Sequence, residues 1–174
     1  LTVTVKFYNG ENGIQKVDWD SNIPIAYVFV KGGDGGFLYK YDPNSTNDEG
    51  LVAPINASGD NADISHVTFY YALGNIIIEK SVKGYQGDLS GFKFKLYYNN
   101  EPMEGIYTTN TQGEIKIDKL PLGEYRIVEV DLDGYTNNLN SENNSITLTE
   151  ENLTHTFNVV NDPVVESTGI IIIK

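Results

Sequence analysis

Short runs of alternating apolar and polar residues, cut by Gly, Asn, Asp and Pro, recur along the whole chain, and none sustains a helical period. This is the pattern of strands joined by turns. In the first part the pattern predicts strands over Thr2–Tyr8, Ala26–Val30, Phe37–Tyr41 and His66–Tyr71. They are separated by Gly32-Gly33-Asp34-Gly35-Gly36 and by a polar stretch from Asp42 to Asp63. In the second part it predicts Ile76–Lys80, Phe92–Tyr98, Ile106–Thr109, Glu114–Ile117, Tyr125–Val130, Ser145–Leu148 and Thr154–Val160. Seven short strands in one segment suit a small sandwich. The expected fold class is therefore all-β, with two small β-sandwich domains.

Organisation follows from one internal echo. Gly74-Asn75-Ile76-Ile77-Ile78-Glu79-Lys80 recurs as Gly169-Ile170-Ile171-Ile172-Ile173-Lys174, and the residues from Asn161 to Thr168 between them suit a short linker. The domains are placed at 1–73, 74–162, and 163–174 as linker plus the first strand of a following module. The start at Leu1 without Met and the stop at Lys174 read as those of an excised fragment. The final Ile run lacks its native partner strands here. It is expected to be poorly ordered or to pair by strand addition with a sheet edge, with no covalent bond at Lys174.

Composition agrees with strands and turns: among 174 residues there are 12 Tyr, 17 Gly and 19 Asn. Charge narrows the partners. With 12 Lys+Arg against 24 Asp+Glu the chain carries −12, so no clustered cation is available for nucleic acid or for an anionic membrane surface. No apolar run is long enough to span a bilayer, and no signal peptide or lipidation motif is present. Zero Cys removes disulfides and thiol chemistry, and two isolated histidines, His66 and His155, offer no His-cluster metal site. No cofactor and no metal are expected.

Strand side chains alternate faces, so an ionisable residue in phase with an apolar set points into the core. Lys80 follows Ile76 and Ile78 at spacing two, Glu129 follows Tyr125 and Ile127, and Asn161 follows Phe157 and Val159. Three inward polar groups are costly unless they meet, because an unpaired buried charge costs several kcal/mol. Burial lowers the pKa of an amine and raises that of a carboxylic acid, so a neutral amine beside a protonated carboxyl is attainable in such a core. Such an amine is a nucleophile, the carboxyl supplies acid/base assistance, and fixed proximity replaces a second reactant. The bland alternative is a Lys–Glu ion pair capped by the Asn. Asn158, out of phase, is the less favoured acceptor.

Motifs around the triad carry a family resemblance. Gly74 to Lys80, Leu89-Ser90-Gly91-Phe92-Lys93-Phe94, Thr109-Asn110-Thr111-Gln112-Gly113, Leu120-Pro121-Leu122-Gly123-Glu124-Tyr125-Arg126-Ile127-Val128-Glu129, Gly134-Tyr135 and Phe157-Asn158-Val159-Val160-Asn161 occur in that order. Residues from about Leu73 to Asp162 thereby resemble the Cna-B modules of Gram-positive pilins and adhesins. The resemblance implies a prealbumin-like (inverse immunoglobulin) sandwich. It also implies an intramolecular isopeptide bond between Lys80 and Asn161, assisted by Glu129. It implies a non-enzymatic structural role in an extracellular protein anchored to the cell wall, with neighbouring Cna-B modules or pilin subunits as partners. The alternative is a ligand-binding adhesin module whose first domain contacts host extracellular-matrix protein or glycan. An enzyme using paired carboxylates is a third reading, and no spacing supports it.

The first part is similar to a poorly characterised region preceding Cna-B modules in some bacterial surface proteins, through Val30-Lys31-Gly32-Gly33, Tyr39-Lys40-Tyr41-Asp42-Pro43, Gly50-Leu51-Val52-Ala53-Pro54 and Ile64-Ser65-His66-Val67-Thr68-Phe69. Lys6 sits out of phase with Val3, Val5 and Phe7, which argues against a second isopeptide bond. The Gly32–Gly36 run reads as a hairpin turn, since no Lys-Ser/Thr follows it. Asp34, Asp42, Asp48, Asp60 and Asp63 lack EF-hand spacing and read as solvated loop acids, and His66 as a structural residue. The sequons beginning at Asn44, Asn56, Asn143 and Asn152 read as chance in an Asn-rich chain. Trp19, taken as exposed, forms with several Tyr a candidate sugar- or protein-binding patch, with core packing as the alternative.

Overall fold

A computed structural model of the chain describes residues 2–130 and 132–164; the expectation for Gly169–Lys174 lies outside the described residues. The described residues are all-β, apart from one 3-10 turn at Glu11–Gly13. Contacts divide the chain into two compact units, Leu1–Ala72 and Leu73–Lys174.

The first unit contains β1 (Val3–Asn9), β2 (Gln15–Gly32), β3 (Gly35–Leu51) and β4 (Ile64–Tyr70). They form one antiparallel sheet in which β3 follows β2 along its length, β1 covers its first half and β4 its second. Register shifts between β2 and β3 fall around Val17/Trp19 and from Asp20 to Tyr27, across Pro24. Proline cannot donate to a ladder and is tolerated at bulges, which bend a strand. The bend lets both halves of β2 feed one core: Val17 and Trp19 from the first, Ile25, Val28 and Val30 from the second, closed by Leu51, Ala53 and Ala62.

The structure corrects two expectations here. The stretch from Asp42 is not a connecting loop as far as Gly50, because β3 runs on to Leu51. Its polar residues sit on an edge strand that pairs with β2 through Asp48↔Trp19 and Asn47↔Asp20, so backbone pairing outweighs side-chain polarity. Trp19 is no surface residue either. It is 1% exposed, and its ring packs edge-on against Tyr41 and Phe69 at 5.5 Å each. Its indole N–H donates to Tyr41 Oη at 3.3 Å, and that hydroxyl donates to Asp48 Oδ2 at 2.8 Å. The polar end of the buried ring is thus satisfied in place.

The second unit is a two-sheet sandwich. Its strands are β5 (Leu73–Val82), β6 (Lys93–Tyr98), β7 (Glu101–Pro102), β8 (Tyr107–Thr108), β9 (Glu114–Pro121), β10 (Gly123–Val130), β11 (Tyr135–Asn137), β12 (Ser145–Leu148) and β13 (Thr154–Pro163). One sheet has the order β12-β10-β6-β7, with β8 also on β6; the other has the order β11-β13-β5-β9. The first and last long strands, β5 and β13, lie side by side and parallel. Phe94, Leu96, Tyr125, Ile127 and Leu148 from one sheet and Ile76, Ile78, Ile115, Ile117, Phe157 and Val159 from the other are buried, each contributing about 1.5–3 kcal/mol for the large side chains.

Candidate functional site: a buried lysine, glutamate and asparagine

Alternation along three strands delivers three polar side chains into this second core. β5 buries Ile76, Ile78 and then Lys80; β10 buries Tyr125, Ile127 and then Glu129; β13 buries Phe157, Val159 and then Asn161. Lys80 is 3% exposed, Glu129 6% and Asn161 0%. In the parallel β5–β13 pair Lys80 lies opposite Val159, so Asn161 is its diagonal neighbour, within reach of a long side chain. Glu129 comes from the other sheet. Asn158 is exposed and points away from the three.

Local motifs hold these strands in place. Tyr125 Oη donates to the Pro121 carbonyl at 2.7 Å, which locks the turn leading into β10. The Lys80 amide donates to the Gly113 carbonyl at 2.8 Å. Gly113 has φ +82°, and a Cβ there would run into the Lys80 carbonyl, so the position requires glycine. Thr109, 4% exposed, accepts from the Phe92 amide at 3.1 Å and donates to the Leu89 carbonyl at 2.6 Å. That clamp fixes Phe92, whose ring centre lies 4.7 Å from Lys80 Nζ.

At the centre, one oxygen touches both nitrogens. Glu129 Oε1 is 3.4 Å from Lys80 Nζ and accepts from Asn161 Nδ2 at 3.0 Å. The other oxygen, Oε2, accepts from Asn137 Nδ2 at 2.9 Å. Lys80 Nζ also donates to the Ser81 carbonyl at 3.2 Å. An ion-pair contact of 3.4 Å is longer than the 2.7–2.9 Å of a strong charge-assisted bond, so the ammonium is poorly compensated for its burial. Desolvation accordingly pulls the Lys80 pKa below its ordinary 10.5, with Glu129 opposing the shift. Asn161 Oδ1 is buried without a hydrogen-bond partner, which costs about 1–3 kcal/mol.

Residues 74–163 match the family model of SpaA, the prealbumin-like fold domain. The chain belongs to this family. Among solved structures, this SpaA-type chain is similar to the minor pilin of Streptococcus agalactiae, with 14% identity, a TM-score of 0.48 and 88% of each chain covered. It is similar to the major pilin subunit of Bacillus cereus at 13% identity and TM-score 0.46, covering 94% of this chain and 71% of that one. It is also similar to the shaft pilin of Lactobacillus rhamnosus GG at 12% identity and TM-score 0.38, covering 95% and 68%. A comparison with curated proteins finds no match.

The structure brings together the three residues singled out by strand phase and adds Asn137, which the phase argument missed. β11 is only three residues long, too short for alternation to reveal a face; the one available hint was that Asn137 stands two residues after Tyr135. In the first unit Lys6 is exposed. Among the described residues no group of three or more His, Asp or Glu could hold a metal ion, and no helix is long and apolar enough to cross a membrane.

Proposed function

We propose that the chain is a structural stalk or presentation segment of a cell-wall-anchored adhesin or pilin, its second unit closed by a self-formed Lys80–Asn161 isopeptide bond. The observation that carries the bond is Glu129 Oε1, which contacts the nucleophilic nitrogen and the leaving-group nitrogen at once. Membership of the SpaA prealbumin-like family supports the wider role.

The chemistry balances within the core. Oε1 takes a proton from Lys80 Nζ, leaving a neutral amine that attacks Asn161 Cγ. A bond forms between Nζ and Cγ. The tetrahedral adduct then sheds a second Nζ proton, Nδ2 gains one through Oε1, and the Cγ–Nδ2 bond breaks to release ammonia. One secondary amide replaces a primary amide and an amine, and the reaction happens once per chain. Afterwards no buried ammonium remains to be compensated, so the desolvation cost of the ion pair disappears.

Intact-mass measurement of the purified chain tests the reading. The expected mass is lower than the sequence mass by one ammonia, with Lys80 and Asn161 in one branched peptide after digestion. Full mass in the folded wild type would overturn it and leave a capped ion pair.

A further inference from the structure

We propose that Asn137 is a positioning residue for this reaction: it occupies Glu129 Oε2, so that proton traffic runs through Oε1 alone. The inference rests on the bond-forming reading above. Three observations carry it. Asn137 stands directly opposite Asn161 in the β11–β13 pair, which puts both side chains on the same face of the sheet. Its Nδ2 donates to Glu129 Oε2 at 2.9 Å. Its Oδ1 accepts from the Leu139 backbone N–H at 3.2 Å.

The third observation fixes the direction of the second. A backbone N–H can only donate, so the Asn137 oxygen must face Leu139 and its NH2 must face the carboxyl. An NH2 group offers no acceptor, so a proton taken up by Glu129 has no favourable place on Oε2. It resides on Oε1, the atom 3.4 Å from Lys80 Nζ and 3.0 Å from Asn161 Nδ2. Terminal carboxyl torsions are broad and roughly two-fold, so without this anchor either oxygen could turn toward the amine, and the shuttle would lose its fixed geometry.

The test follows the newly translated chain by intact mass and reads the rate at which ammonia is lost. Asn137→Ala is expected to slow the loss by about ten- to a hundredfold, as for removal of one hydrogen bond to a charged group. The same substitution in a Lys80→Ala background, which cannot react, reports its effect on folding alone by thermal unfolding. Asn137→Asp keeps the shape but donates only when protonated. The ionisable groups facing it are Glu129 from β10 and, across that carboxyl, Lys80 from β5. Its rate relative to wild type at the same pH is expected to recover as pH falls through the carboxylate range. Equal rates for wild type and Asn137→Ala would overturn the assignment, as would an Asn137→Asp deficit that is the same at every pH. A wild type that never loses ammonia would instead overturn the bond-forming reading itself.

Discussion

Trp19 and Lys80 sit at equivalent depth, 1% and 3% exposed, one in each unit, and the groups that satisfy them differ in kind. Around Trp19 a neutral chain of donors runs from the indole N–H through Tyr41 Oη to Asp48 Oδ2, and each link has a partner. Around Lys80 an ammonium meets a carboxylate at 3.4 Å, a carbonyl at 3.2 Å and an aromatic face, while a neighbouring amide oxygen has no partner. The first arrangement is complete as it stands. The second is unfavourable as a set of noncovalent contacts, and the proposed bond between the amine and the amide would relieve it. A buried polar cluster that stays under-satisfied in an otherwise well-packed core is thus a pointer to chemistry, and one that is fully satisfied is a pointer to packing.

The comparison can be broken most forcefully at Lys80. Lys80→Ala should restore the full sequence mass and lower the stability of the second unit by roughly 4–5 kcal/mol, the loop-closure contribution of a cross-link spanning about 80 residues. The transition of the first unit should not move, and calorimetry with parallel mass measurement reads both. Trp19→Ala is the mirror experiment. It should cost the first unit about 3–5 kcal/mol through cavity formation, leaving the mass deficit of the chain intact.

Smaller effects sharpen the contrast. With Asn161→Ala the amine stays free, and Lys80 binds its proton less tightly folded than unfolded. The unfolded state therefore holds more protons below the ordinary Lys pKa of 10.5, and the stability of the second unit should climb as pH rises toward that value. If the proposed bond consumes the amine, the wild type should show no such climb in urea titrations at several pH values. Tyr41→Phe should cost the first unit about 1 kcal/mol by breaking the relay between Trp19 and Asp48. Glu124→Ala, one strand position out of phase with Tyr125 and exposed, should change stability by less than about 0.5 kcal/mol. A loss of about 3 kcal/mol or more, as for breaking a buried pair, would contradict the assigned face.

Legibility in the sequence followed the length of each alternating run. Strands β5, β10 and β13 are eight to ten residues long, so the phase of Lys80, Glu129 and Asn161 could be read against two buried neighbours each. Asn137 could not, because β11 is three residues of irregular surroundings. In the first unit Val17 and Trp19 alternate with Asp18 and Asp20 and are buried on β2, but no strand was expected there and Trp19 was taken as exposed. The extension of β3 past Asp42 was hidden for another reason. An edge strand of Asp, Asn, Ser and Thr takes its conformation from the ladder beside it, and that ladder belongs to a bulged β2 whose course no local pattern reveals.

The parallel pairing of β5 with β13 also sets how tension crosses the second unit. Parallel neighbours place the start of β5 and the end of β13 at opposite ends of the ladder, so a pull applied at Leu73 and Pro163 slides the strands along each other. Eight residue pairs, from Asn75↔Thr154 to Val82↔Asn161, then bear the load together instead of opening one after another. Lys80 and Asn161 sit near the far end of that ladder, where a covalent tie would divert the load from the backbone between them and leave the intervening strands slack.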